Sequence, residues 1–146
     1  MTLPTPEIKN NEDTISIFTD GASRGNPGPA AAAFVILRDK RILFEDSLYL
    51  GIQTNNQAEY QAIINALQKV REYTEDSVIV HSDSELVIKQ LNGDYLVNKA
   101  HLKTLRNEVF ELKNEFTDVK FVHVLRKHTW IKHVDKLCNQ NLNKNS

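Results

Sequence analysis

The apolar residues of this chain first change their spacing near residue 54, and that change limits the kind of sheet it can build. Before it come three apolar runs: "TISIFTD" (14–20), "AAAAFVILRD" (30–39) and "RILFEDSLYL" (41–50). They are rich in β-branched and large apolar residues, and polar turns separate them, so they predict three strands in an antiparallel meander. After it, Ala58, Ala62, Ile63, Ala66, Leu67 and Val70 recur at helical spacing. A short strand "SVIVHSD" follows, then a short helix "SELVIKQLNG" closed by Gly93. The helix "HLKTLRNEVFELKNEF" comes next, with Leu102, Leu105, Val109 and Leu112 on one stripe. "VKFVHVL" reads as the last strand and "KHVDKLCNQNL" as the last helix. Strands joined through helices run parallel. The prediction is an α/β fold with a five-stranded mixed sheet, three antiparallel strands and then parallel ones, with helices packed on it.

At 146 residues, the chain suits one domain, expected over 14–146 and preceded by a loosely attached polar tail at 1–13. No run is long and apolar enough for a membrane span, and the start lacks the apolar core of a signal peptide. A single cysteine, Cys138, rules out an internal disulfide and fits a cytoplasmic location. Net charge is −1, so bulk charge points to no polyanion. Locally, Lys99, Lys103 and Arg106 cluster without an acid, and residues 120–136 carry Lys120, Arg126, Lys127, Lys132 and Lys136 against Asp135 alone. Such patches can track a phosphate backbone, and they also suit solvated faces.

Ligands of open α/β sheets bind beyond the carboxyl ends of the parallel strands. Asp20 ends the first apolar run and Asp83 follows "VIVHS". Each has an ordinary alternative. Asp20 precedes a glycine turn, and Asp83 could lie in the first turn of a helix capped by Ser82 and Glu85. Glu59 is less ordinary: Ala62, Ile63 and Ala66 lie three, four and seven residues on, so it points with the buried stripe. Asp135 stands in the same relation to Cys138 and Leu142. A carboxylate facing a core is costly unless paired, protonated or bound to a cation. Four converging ones call for cations, and an all-oxygen set favours Mg²⁺ or Mn²⁺ over zinc. Two such ions suit phosphodiester hydrolysis.

"TDGASRGNPGPAAAAFVI", "TNNQAEYQAIINAL" and "HSDSELVIKQLNGDY" resemble, in order and spacing, the three strongest motifs of type 1 ribonuclease H. The resemblance runs from about Thr14 to Leu142 and is nearest to the compact archaeal and bacterial form without a basic protrusion, because 93–116 holds one helix only. It implies a ribonuclease H-like sheet with helices on both faces. It also implies an endonuclease that cuts the RNA strand of RNA–DNA hybrids with two Mg²⁺ ions, Mn²⁺ as substitute, leaving 5′-phosphate and 3′-hydroxyl ends. By resemblance, Asp20 is shared by both ions and Glu59 holds one of them and orients the ribose 2′-hydroxyl. Asp83 and Asp135 would hold the other ion.

The resemblance extends to substrate contacts. Gly21, Ala22 and Asn26 belong to a loop implied to meet the RNA strand, with Gln57 and Ser84 similarly placed. Thr54, Asn55, Asn98 and Lys99 resemble the family's grip on DNA-strand phosphate; Thr54 also suits helix capping. Many members place a mobile histidine near the last motif to move protons. His128 is the candidate and His133 the second. His101, on the basic helix, is expected to meet phosphate, while His81 and His123 look structural. The segment "VLRKHTWIKHVD" departs from the family's pattern: it is about two residues longer, Ile131 stands where a polar residue is expected, and Trp130 suits a core anchor or a base-stacking surface. The start at Met1, without a polymerase segment, favours a stand-alone protein; a monomer is expected, and no protein partner is evident in the sequence. Alternatives are a nuclease of other strand preference on this fold, a reverse-transcriptase-type ribonuclease H domain, or a non-catalytic hybrid-binding module.

Overall fold

A computed structural model describes residues 14–146; the expected polar tail at 1–13 lies outside the described residues. The elements run β1 (Ile15–Ser23), β2 (Gly28–Arg38), β3 (Arg41–Gln53), α1 (Asn55–Val70), β4 (Ser77–Ser82), α2 (Glu85–Leu91), α3 (Ala100–Lys113), β5 (Asp118–His123) and α4 (Thr129–Lys144). The sheet order is β3-β2-β1-β4-β5. β1, β2 and β3 pair antiparallel, while β1–β4 and β4–β5 pair parallel, as the order of apolar periods predicts. The β2–β3 hairpin turns on Asp39 and Lys40, both at positive φ, which matches the twist of the strands it joins.

Alternation along β1 divides the interior in two. Ile15 and Ile17 face a large core shared with Phe34, Ile36, Val78, Val80, Val119 and Phe121, closed by α1, α2 and α3. Phe18 faces the other way, into a smaller core with Ala31, Ala33, Val35 and Leu37, closed by Ile131, Val134, Cys138 and Leu142 of α4. Alanines at 31 and 33 leave α4 room to lie close on β1 and β2. Helices therefore cover both faces, and their ends meet where β1 and β4 point.

Three of the boundaries that differ from the sequence reading bear on the site. β1 continues past Asp20 to Ser23, because β2 still pairs with it there (Asp20 opposite Ala33, Ser23 opposite Ala30). α2 is capped by Ser84, whose hydroxyl accepts from the Val87 N–H at 3.3 Å, so Asp83 stands outside the helix rather than in its first turn. α4 starts at Thr129, earlier than "KHVDKLCNQNL" suggests, because Ile131 and Val134 extend its buried stripe. Trp130 and Ile131 are thus helical, and Ile131 is apolar because it is buried in the smaller core.

Gly21 fixes how closely α1 rides on β1. A Cβ there would collide with the backbone of Ala58 and Glu59. The glycine therefore serves helix packing, a role the sequence reading had given to ribose approach. Gly21→Ala is expected to cost about 1–3 kcal/mol, the usual range for overpacking, in urea unfolding. An unchanged midpoint would show that α1 does not need this contact.

Candidate active site

The parallel register of β1 and β4 sets Phe18 opposite His81. Two residues further on each chain come Asp20 and Asp83, which therefore emerge side by side. Glu59 arrives from the other face of the sheet, on α1. Its helix starts at a capping box, in which Thr54 Oγ1 accepts from the Gln57 N–H at 3.1 Å and Gln57 Oε1 accepts from the Thr54 N–H at 2.8 Å. Such a cap contributes about 1 kcal/mol and fixes where the first turn points. The β1–β2 loop is tied to the same turn. Asn55 Oδ1 accepts from the N–H and hydroxyl of Ser23, both at 2.9 Å, and Asn26 Oδ1 accepts from the Asn55 N–H at 3.0 Å. Glu59 Oε1 then accepts from the Gly21 N–H at 2.6 Å.

One carboxylate oxygen from each of Asp20, Glu59 and Asp83 lies within 4.8 Å of the others. Asp20 and Glu59 are buried. Asp135 comes from the second turn of α4 and lines the same hollow of about 260 Å³, with Gly21, Ala22, Asn55, Asn56, Ser84 and Arg126. The expected inward turn of Asp135 is corrected: the residue is exposed at the edge of the stripe, and Asn139 Nδ2 donates to its Oδ2 at 3.4 Å. Behind the site, the Cys138 thiol donates to the Asp20 carbonyl at 3.4 Å, and burial holds that thiol protonated.

Burial, then the neighbouring Asp83 and Asp135, pushes the Asp20 carboxyl up from an ordinary 3.8 to about 8. Burial, then Asp20 and Asp83, likewise raises Glu59 well above its usual range, against the lowering effect of the Gly21 N–H. Asp20 Oδ2 is buried with no hydrogen-bond partner among the described residues. Among the described residues, the cation that lines the hollow is Arg126; it meets Asp83 Oδ2 through Nε at 3.4 Å, but its side chain is 91% exposed and water-screened. Crowded carboxylates, an orphaned oxygen and an all-oxygen donor set fit hard divalent cations.

A family model described as "Reverse transcriptase-like" matches residues 18–141. Ribonuclease H of Caldanaerobacter subterraneus is 31% identical over 127 residues, covering 86% of this chain and 81% of that protein. The chain belongs to the ribonuclease H family. Ribonuclease HI of Halobacterium salinarum is 40% identical over 129 residues; the match covers 88% of this chain but 64% of the relative's length. The crystal structure of RNase H1 from that archaeon superposes with a TM-score of 0.85 at 38% identity, covering 90% of this chain and 98% of that one. LC11-RNase H1, solved in complex with RNA/DNA hybrid, has a TM-score of 0.84 at 37% identity, covering 90% of this chain and 98% of that one.

Of the residues that the ribonuclease H resemblance singled out, the structure gathers Asp20, Glu59, Asp83, Asp135, Gly21, Ala22, Asn55 and Ser84 around one hollow. Thr54, Gln57 and Asn26 form the support behind it. Asn98 and Lys99 are exposed before α3 and do not line the hollow. The histidines expected beside the carboxylates are engaged elsewhere. His128 caps α4, its Nδ1 accepting from the Trp130 N–H at 3.1 Å. His133 Nε2 meets Glu45 Oε1 at 2.6 Å, with Trp130 edge-on to its ring. His123 is exposed at the end of β5, not mid-strand, whereas His81 is anchored through Nδ1 to the Ile17 carbonyl at 3.0 Å. Sequence reading missed Arg126 and Asn56 as lining residues. Arg126 becomes legible only once β5 is known to lie beside β4, which brings the turn after it to Asp83.

The raised carboxyls make stability depend on pH. In the unfolded chain Asp20 loses its proton near 3.8, while in the metal-free fold it keeps it to about 8. Between these values the fold holds a proton that the unfolded chain has released, so metal-free stability falls as pH rises through that window. Asp20→Asn removes the buried charge and offers an amide donor to its neighbours. In EDTA at pH 8 it should melt above wild type by on the order of 2–4 °C, equivalent to roughly 1 kcal/mol, with the gap closing near pH 4. A variant that melts lower at pH 8 would mean that the carboxylates are not in electrostatic conflict.

Proposed function

We propose that this protein is a metal-dependent endoribonuclease that hydrolyses the RNA strand of RNA–DNA hybrids, leaving 5′-phosphate and 3′-hydroxyl ends. The observation that carries this reading is the set of Asp20, Glu59 and Asp83, with ligand oxygens within 4.8 Å and one buried oxygen of Asp20 without a partner among the described residues. A module that only bound hybrid would gain nothing from concentrating negative charge where phosphate must come. The hybrid in the LC11-RNase H1 structure supports the choice of substrate.

Asp20, Glu59, Asp83 and Asp135 would hold two Mg²⁺ ions, with Mn²⁺ as substitute. Bound there, such ions activate water and stabilise charge on the attacking and leaving oxygens of a phosphodiester. The chain's own part is placement. Asp20 supplies the most buried anchor of the set, held from behind by the Cys138 thiol. Glu59 is oriented by the Gly21 N–H, which leaves its other oxygen for an ion or a ribose hydroxyl. Asp83 is steadied by Arg126, and Asp135 closes the site from α4. Gly21, Ala22, Asn56 and Ser84 offer backbone and short polar groups at the rim, the type of surface that can test for a 2′-hydroxyl. Asn26, Thr54, Asn55 and Gln57 keep that rim rigid, and Asn98 and Lys99, exposed before α3 and away from the hollow, would meet DNA-strand phosphate. The same reading takes the protein as a cytoplasmic monomer, in keeping with its one buried cysteine.

Labelled RNA–DNA hybrid, duplex RNA and duplex DNA, each incubated with Mg²⁺, Mn²⁺ or EDTA, test the assignment. Hybrid RNA should be cut with either ion and left intact in EDTA. Asp20→Asn should lose at least on the order of 10²–10³-fold in rate while remaining folded. Cutting of duplex DNA, or equal cutting in EDTA, would sink the reading.

A further inference from the structure

Three rings in contact, one pair stacked and one tilted, connect β1, β4 and α4, the elements that carry or lead into three of the four carboxylates. The Phe18 ring lies on His81 with centroids 4.2 Å apart and planes 10° from parallel. The His128 ring leans on Phe18 at 4.8 Å and 31°. His81 stands two residues before Asp83, Phe18 two residues before Asp20, and His128 seven residues, two helical turns, before Asp135. Strand alternation puts the Phe18 ring on the same face of β1 as the Asp20 carboxylate. Hydrogen bonds hold both ends of the stack. His81 Nδ1 donates to the Ile17 carbonyl at 3.0 Å, and His128 Nδ1 accepts from the Trp130 N–H at 3.1 Å as the cap of α4. The His128 ring opens on a hollow lined by Ser16, Phe18, Leu37 and Trp130, separate from the one that the carboxylates line.

We infer that His128 is a positioning residue: through its cap and its ring contact it fixes α4 against β1, and so sets where Asp135 stands relative to Asp20 and Asp83. Its effect runs through cation affinity rather than through proton transfer. Supporting groups behind metal ligands commonly alter affinity by 10–100-fold.

Three variants separate the parts. His128→Ala loses cap and ring, His128→Asn keeps a cap acceptor, and His128→Phe keeps the ring. With each variant confirmed folded by circular dichroism, Mn²⁺ binding is measured by calorimetry without nucleic acid, and kcat on hybrid at saturating Mn²⁺. His128→Ala should weaken Mn²⁺ binding about tenfold, and kcat at saturating Mn²⁺ should return to within about twofold of wild type. The Asn and Phe variants should each recover part of the lost affinity. Unchanged Mn²⁺ affinity with a kcat loss that saturation does not repair would overturn the inference in favour of a proton-transfer role. Unchanged affinity and rate together, or no recovery in either partial variant, would overturn it as well. The inference rests on the metal-dependent reading above, and the outcomes distinguish the two. Wild-type protein that takes up no Mn²⁺ fails that reading, whereas wild-type uptake with unaltered variants fails only this one.

Discussion

Because β1 and β4 pair in parallel with Phe18 opposite His81, Asp20 and Asp83 are forced out side by side at one edge of the sheet. Everything else at the site adjusts to that register. A one-residue slip would turn Asp20 to the other face, away from α4 and Asp135. Gly21 lets α1 approach closely enough for Glu59 to bond back to the strand, and the alanines of β2 let α4 approach from the opposite side. Fold stability and site geometry thus come from the same contacts.

That convergence has an electrostatic cost, visible in Asp20 and Glu59, whose carboxyls are held well above their usual range. The surrounding protein does little to relieve it: Arg126 is mostly in water, and Asp20 Oδ2 has no partner among the described residues. An arrangement that is unfavourable alone and favourable with hard cations is a binding site, by the same linkage that makes its stability fall with pH. The proposed hybrid-cleaving function would give that site its substrate class; the electrostatics give the reason that cations are needed.

Much of this was legible in the sequence, for identifiable reasons. The change from strand to helix spacing at residue 54 carried the topology, because a meander and helical crossovers allow few sheet orders. Glu59 was legible because its neighbours at three, four and seven residues are all buried. Asp83 was ambiguous because Ser82 with Glu85 fits a capping box that would put it in the helix, and only the structure shows Ser84 as the cap. Asp135 was placed by a stripe that in fact runs through 131, 134, 138 and 142, leaving the aspartate at its edge. His128 could not be read as a cap while the last helix was taken to begin later. Arg126 had no local signal, because its neighbour Asp83 is 43 residues away in the chain.

The most direct test is the titration of the Asp20 carboxyl itself, followed by carbon-13 NMR with Asp-labelled protein, with and without Mg²⁺. In EDTA the resonance should titrate at about 8, and Mg²⁺ should move that midpoint below neutrality. A midpoint near the ordinary 3.8 in EDTA, unmoved by Mg²⁺, would contradict the account of a buried carboxylate cluster that needs cations.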